Sequence, residues 1–222
     1  MSCFDKIFFP VLLSLLLLSG CAGKQKNENQ QKNEPAATEP GWKNLFNGQT
    51  LENWAITSFG TQGPVQVEDG TIVLGMGEGC TGITWKGNFP RSNYEVKLQA
   101  KKVTGNDFFC GMTFPVDSSY CSFIVGGWGG PVVGLSTIDG QDASENETRT
   151  LRKFEHDTWY DIRLKVTDEK IEAWIDEEKA VDLNTRGRQI SVRPEVNLSK
   201  PFGICSWTTT AALRNIRMRN LE

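Results

Sequence analysis

Residues 159–175 read WYDIRLKVTDEKIEAWI. Tyr160, Ile162, Leu164 and Val166 recur at every second position, Thr167 to Lys170 are polar, and Ile171, Ala173 and Ile175 resume the alternation. A period of two with one apolar side is the mark of a half-buried strand, so the stretch predicts an antiparallel hairpin. Setting Val166 opposite Ile171 places Lys165 opposite Glu172, Arg163 opposite Trp174 and Asp161 opposite Asp176. An opposite-charge pair and a cation over an indole are favourable cross-strand neighbours. On this register Trp174 belongs to an outer sheet surface. A platform for a sugar ring is the other reading of the same indole.

The pattern spreads outward from the hairpin. In SNYEVKLQAK, Ser92 to Lys101, Tyr94, Val96, Leu98 and Ala100 face one way, and Glu95, Lys97, Gln99 and Lys101 the other. No stretch of a dozen residues after Gly41 holds a helical period, and glycine-rich turns recur at short intervals. That combination predicts an all-β antiparallel sandwich. Residues 41–222 number 182, enough for one domain with a sizeable core, and no internal repeat is seen. The formal net charge of −3 argues against a nucleic-acid partner, which needs a basic face.

The residues before Gly41 read differently. Ile7 to Leu18 form an apolar run of twelve behind Lys6, too short for a membrane-spanning helix and suited to a signal-peptide core. Leu18-Ser19-Gly20-Cys21 follows and resembles a bacterial lipobox, in which the cysteine becomes the lipidated first residue. Residues 24–40 contain no large apolar side chain and cannot offset the entropy of ordering. As a flexible tether they reach about 23 Å. The expectation is therefore a signal peptide (1–20), a lipidated Cys21 with a disordered tether (21–40), and a domain (41–222) held at the cell envelope. Ala22 after the cysteine favours the outer membrane. Cys110 and Cys121 sit in apolar runs and read as buried thiols, which behave as small hydrophobes. A disulfide among Cys80, Cys110, Cys121 and Cys205 stays open.

LFNGQTLENW, residues 45–54, pairs a tight-turn Asn47-Gly48 with apolar mass on either side and reads as an element that starts the fold. It resembles the N-terminal signature of the 3-keto-disaccharide hydrolase family. VQVEDGTIVL (65–74), WYDIRLKVTDEKIEAWIDEEKAVD (159–182) and ALRNIRMRNL (212–221) resemble that family's early hairpin, central hairpin and closing strand. The resemblance covers nearly all of 41–222. It implies a concanavalin A/LamG-like jelly-roll β-sandwich. It also implies a reaction in which a 3-oxo group acidifies the proton on C2, a base removes it, the aglycone leaves by elimination, and water adds back. Such a site needs a base and a stabiliser for the enediolate oxygen, often with a metal.

Family members commonly carry polar Glu and Gln on two strands and a His before the closing strand. Here those places read NDFFCGMTF (106–114), DSSYCSFIVGGWGG (117–130) and Ser206-Trp207-Thr208-Thr209-Thr210. With Cys110, Met112 and Phe114 toward the core, Phe109, Gly111 and Thr113 would face outward with Tyr120, Ser122 and Ile124. Hydroxylic and small residues around aromatics suit a sugar ring, which makes Tyr120, Ser122, Trp128 and Trp207 the candidate binding residues. Trp128 sits among five glycines, and a plug at the end of the core is the other reading. The acidic loop DGQDASENETR (139–149) holds Asp139, Asp142, Glu145 and Glu147, oxygen ligands of the kind a divalent metal such as Ca²⁺ takes. Glu145, Glu147 and Arg149 are the candidate catalytic trio. His156, the only histidine, is a fourth candidate as the residue type best suited to moving protons near neutral pH, although a turn histidine has no need of a catalytic role. Multi-His zinc sites, a G-x-S-x-G esterase elbow and the paired carboxylates of laminarinase-like jelly rolls are absent from the sequence. Two functions are expected: a 3-keto-glycoside hydrolase or lyase, or a lectin-like module that binds sugar without cleaving it. A purely structural envelope protein is a third.

Overall fold

The computed structural model describes residues 40–222. The segments expected to be a signal peptide, a lipidated Cys21 and most of a tether lie outside the described residues. The strands are β1 (Lys43–Asn44), β2 (Trp54–Ile56), β3 (Val65–Glu68), β4 (Thr71–Leu74) and β5 (Cys80–Trp85). They continue as β6 (Tyr94–Thr104), β7 (Cys110–Val116), β8 (Ser119–Gly127), β9 (Val132–Ser136) and β10 (Thr150–Leu151). The last five are β11 (Trp159–Val166), β12 (Lys170–Ile175), β13 (Glu178–Asn184), β14 (Gly203–Trp207) and β15 (Thr210–Asn220), with a 3-10 turn at Pro194–Ser199 before β14. An eight-stranded sheet runs β13-β12-β11-β6-β15-β4-β3 with β1 on β15, and a seven-stranded sheet runs β10-β9-β8-β7-β14-β5-β2. Every pairing is antiparallel, which gives the sandwich that the alternating pattern predicts, in the jelly-roll form that the resemblance implies.

The hairpin register is the one read from the sequence. Val166 pairs with Ile171, Lys165 with Glu172 and Arg163 with Trp174. Asp176 and Asp161 meet through Asp176 N to Asp161 O at 2.7 Å and Asp161 N to Asp176 Oδ1 at 3.0 Å. The inward residues of β6, β11 and β12 are all buried, against Cys110, Met112, Phe114, Phe123 and Leu135 of the other sheet. Each large apolar side chain sealed between the sheets contributes about 1.5–3 kcal/mol. The cysteine readings hold as well. All four described thiols are free and buried, and burial pushes Cys110 and Cys121 up to about 12.

The opening stretch 45–54 is a fold-starting element. Asn47 Oδ1 accepts from Gln49 N (2.8 Å) and Thr50 N (2.9 Å), and Gly48 takes a positive φ of 78°. Trp54 Nε1 donates to Leu45 O at 2.8 Å, and Leu45 N donates to Ile216 O at 2.8 Å, which ties the stretch to β15. Phe109 departs from the outward placement expected for it. It precedes β7, is fully buried, and packs edge-on against Phe154 (5.1 Å) in the core. Its neighbour Phe108 takes the outward place.

The outward face of the eight-stranded sheet is closed by indoles and cations. Trp174 carries Arg163 at 4.3 Å and Lys179 at 5.1 Å. Trp159 carries Arg214 at 4.1 Å, and Trp42 carries Lys97 at 4.7 Å and Arg219 at 4.8 Å. Trp174 therefore takes part in cross-strand packing, with two cations against its ring, and stays half-buried on the wall of a groove. Beneath this layer Glu95 points outward by register yet is completely buried, because Arg163 and Arg219 fold over its two oxygens. A carboxylate held this way is stabilised only while its cations stay in place. Glu95→Ala leaves two arginines without their shared anion. It is expected to lower unfolding stability by about 3 kcal/mol in urea titration, and more than Arg219→Ala, which leaves the Arg163 pair intact.

Candidate functional site

The outward face of the seven-stranded sheet is built from small and hydroxylic residues. Ser136, Ser122 and Thr113 stand directly opposite one another on β9, β8 and β7. The next row reads Gly134, Ile124, Gly111, Cys205, Gly82. A Cβ at Gly111 would lie 2.8 Å from Phe108 Cε2, and one at Gly134 would lie 3.1 Å from Thr148 O. The missing side chains thus let Phe108 and the 139–149 loop lie on the sheet. A pocket of about 210 Å³ lies on this face beside Phe108, with Ser122, Ile124 and Ser136 of the sheet among its lining. Drug-sized ligand pockets run to roughly 300–1,000 Å³. This one suits a single ring rather than a chain.

Three aromatic side chains form its walls: Phe108, Trp128 and Trp207. Phe108 and Trp207 lie 6.5 Å apart, and Trp207 N donates to Phe108 O at 3.0 Å. Trp128 sits on a turn with φ of 50°, followed by Gly129 at 81°. Asp107 fixes that turn. Its carboxylate accepts from Phe108 N at 2.8 Å and from Gly129 N at 3.2 Å. A tryptophan in the left-handed region is strained and persists because its surroundings hold it. Trp128 lines the pocket and is 39% exposed, so it is a wall and not a core plug.

The polar rim is Asp107, Arg193 and Glu195, with Ser122 and Ser136 also lining the pocket. Arg193 is gripped from two sides, by Asp142 Oδ2 (2.8 Å) and by Glu195 Oε1 (2.9 Å). Hydrogen bonding to Arg193 holds the Glu195 carboxyl below its usual range, and the same pair raises Arg193. Ser122 is buried and shares a 3.0 Å hydrogen bond with Thr113. A fixed cation between two carboxylates, aromatic walls and hydroxyls beneath them can hold a sugar ring by stacking and hydrogen bonding.

The structure gathers only some of the candidate residues. Ser122, Trp128 and Trp207 line the pocket. Tyr120 lies on the same face, but its hydroxyl accepts from Arg91 at 3.0 Å and Lys200 sits 4.9 Å over its ring, away from the pocket lining. Asp142 reaches the rim through Arg193. Asp139 and Glu147 both close on Arg188, and Asp139, lowered first by its hydrogen bond from Gln189 N and then by Arg188, is not free to ligate. Asp142 is likewise spent on Arg193 and Ser144. Among the described residues no three His, Cys, Asp or Glu side chains are grouped to hold a metal ion. Glu145 and Arg149 are exposed and do not line the pocket. His156 is exposed and donates from Nε2 to Gly105 O at 2.9 Å. Asn146 is 6% exposed and donates to Leu135 O at 2.7 Å, so it braces the loop. Sequence reasoning missed Phe108, Asp107, Arg193, Glu195 and Ser136. The signal for Phe108 was Gly111 three residues on, and for the rim the Arg193-Pro194-Glu195 run just ahead of β14.

The geometry sits on a fold with known relatives. A family model described as a 3-keto-alpha-glucoside-1,2-lyase-like domain matches residues 41–219. The chain belongs to that family, which makes it a carbohydrate-active protein with a jelly-roll fold. A putative glycosyl hydrolase from Parabacteroides distasonis is similar at a TM-score of 0.53 and 16% identity, over 82% of this chain and 95% of that one. The Crh5 transglycosylase in complex with NAG is similar at 0.58 and 13% identity, over 82% and 85%. The Emp46p carbohydrate recognition domain is similar at 0.53 and 13% identity, over 81% and 95%. At these identities the likeness is one of fold. A search of curated protein sequences found no match.

The Gly111 approach can be tested directly. Gly111→Ala is expected to push the Phe108 ring off the sheet into the pocket, altering the near-ultraviolet circular dichroism of Phe108 and Trp207 while the far-ultraviolet spectrum stays the same. The associated loss of stability is about 1 kcal/mol, as for mild overpacking. An unchanged near-ultraviolet spectrum would show that the ring does not depend on the glycine.

Proposed function

We propose that the pocket takes one pyranose ring of a 3-keto glycoside and that the protein releases the aglycone by elimination. The observation that carries this reading is the family match over 41–219 together with a ring-sized, aromatic-walled pocket that has a cation fixed at its rim. Asp107 is assigned as the base. Two backbone N–H groups orient its carboxylate, and it is not tied to a cation as Glu195 is. It takes the proton from C2, the electrons move into the C1–C2 bond as the C1–oxygen bond breaks, and the departing oxygen gains a proton. Negative charge that gathers on the 3-oxygen meets Arg193. A donor placed at developing charge is worth about 10²–10³ in rate. Water then adds across the new double bond in the hydrolytic version.

A specific observation favours a second reading, a sugar-binding module. Each carboxylate lining the pocket already accepts from a backbone N–H or from Arg193, an arrangement that serves binding as well as catalysis. Aglycone release separates the two. The domain should release p-nitrophenol from p-nitrophenyl 3-keto-glucoside and not from the unoxidised glucoside. Asp107→Asn should slow release about 10²–10⁴-fold, well beyond the smaller weakening of keto-sugar binding expected because the amide leaves one of the two N–H groups of Phe108 and Gly129 without an acceptor. Saturable binding with no release from either compound would sink the enzyme reading and leave the binding module.

A further inference from the structure

Ser136 stands apart from the other hydroxyls on its face of the sheet. It ends β9, is 1% exposed, and lines the pocket. Its row neighbours are satisfied: Ser122 and Thr113 bond each other at 3.0 Å. Further along the row Thr84 bonds Thr57 at 2.7 Å. The Ser136 Oγ has no partner. Ser199 and Ser206 share that condition among the described residues, but neither lines the pocket. A buried hydroxyl left unpaired destabilises the protein that carries it, and it is able to donate one hydrogen bond and accept two. Only at Ser136 does such a group belong to a residue that lines a ligand-sized space.

We propose that Ser136 is the specificity-determining residue of the pocket. Its Oγ hydrogen-bonds one hydroxyl of a bound pyranose, the one directed deepest between the aromatic walls. The inference rests on the reading of the pocket as a sugar site. It adds which ligand group the pocket selects for. A site built to pair a hydroxyl rejects an analogue that lacks it, because the protein group is then left unsatisfied. The satisfied Ser122–Thr113 pair beside it has no such demand.

The test is calorimetric binding of methyl 3-keto-α-D-glucopyranoside and its 2-, 4- and 6-deoxy analogues to wild type, Ser136→Ala and Trp207→Ala. Wild type should bind one deoxy analogue about fivefold more weakly than the parent. Ser136→Ala should lose about the same factor on the parent and bind parent and that analogue alike. Its ligand-free thermal midpoint should be equal to or above that of wild type, since an unpaired buried hydroxyl has been removed. Parent binding by Ser136→Ala at wild-type affinity, with binding lost in Trp207→Ala, would overturn the role of Ser136 and keep the pocket. Binding unaffected by Trp207→Ala, or no binding of any probe by wild type, would overturn the pocket reading and this inference together.

Discussion

The absence of a Cβ at Gly111 and Gly134 governs how closely the loops approach the seven-stranded sheet. A single methyl group would meet Phe108 at 2.8 Å or Thr148 at 3.1 Å, so the ring or the loop would have to move off the sheet. With the glycines in place, Phe108 lies flat against β7 and the 139–149 loop lies against β9. That loop carries Asp142, which holds Arg193, and Arg193 in turn holds Glu195. The rim of the pocket is therefore several steps removed from the glycines and still depends on them.

The two outward faces of the sandwich solve opposite problems. The eight-stranded sheet buries its outward carboxylate Glu95 under arginines and covers its indoles with cations. A groove runs past Lys97, Asp161, Arg163 and Trp174, and the indole on its wall carries Arg163 and Lys179. The seven-stranded sheet keeps its aromatic walls uncapped and leaves a buried hydroxyl unpaired. Paired groups make a stable surface, and unpaired ones make a receptive site. Natural proteins give up stability of this kind where a ligand is to be met.

The architecture was legible because its signals are local. Alternation in β6, β11 and β12 names the buried face, the hairpin turn sets the register, and Asn47-Gly48 closes its own turn. The site was less legible because its parts meet through tertiary packing. Asp107 and Phe108 come from the entry to β7, Trp128 from the turn after β8, Arg193 and Glu195 from the segment before β14, and Trp207 from its end. Density of charge misled at the acidic loop. Asp139 and Glu147 sit close in sequence to Asp142, yet they turn to Arg188 while Asp142 turns to Arg193. The Phe108–Phe109 pair misled by one residue, since a strict alternation extended back from β7 exchanges which ring faces the pocket. The sequence does carry the hydroxyl row, but no periodicity distinguishes the one unpaired serine from its satisfied neighbours.

The central claim is that sugar is met on the outward face of the seven-stranded sheet. A crystal structure of the domain soaked with methyl 3-keto-α-D-glucopyranoside tests it most directly. The account predicts density for one ring between Trp128 and Trp207, with oxygen atoms toward Arg193 and Ser136. A ring bound beside Trp174 on the eight-stranded sheet, with the space between Trp128 and Trp207 holding only solvent, would contradict it.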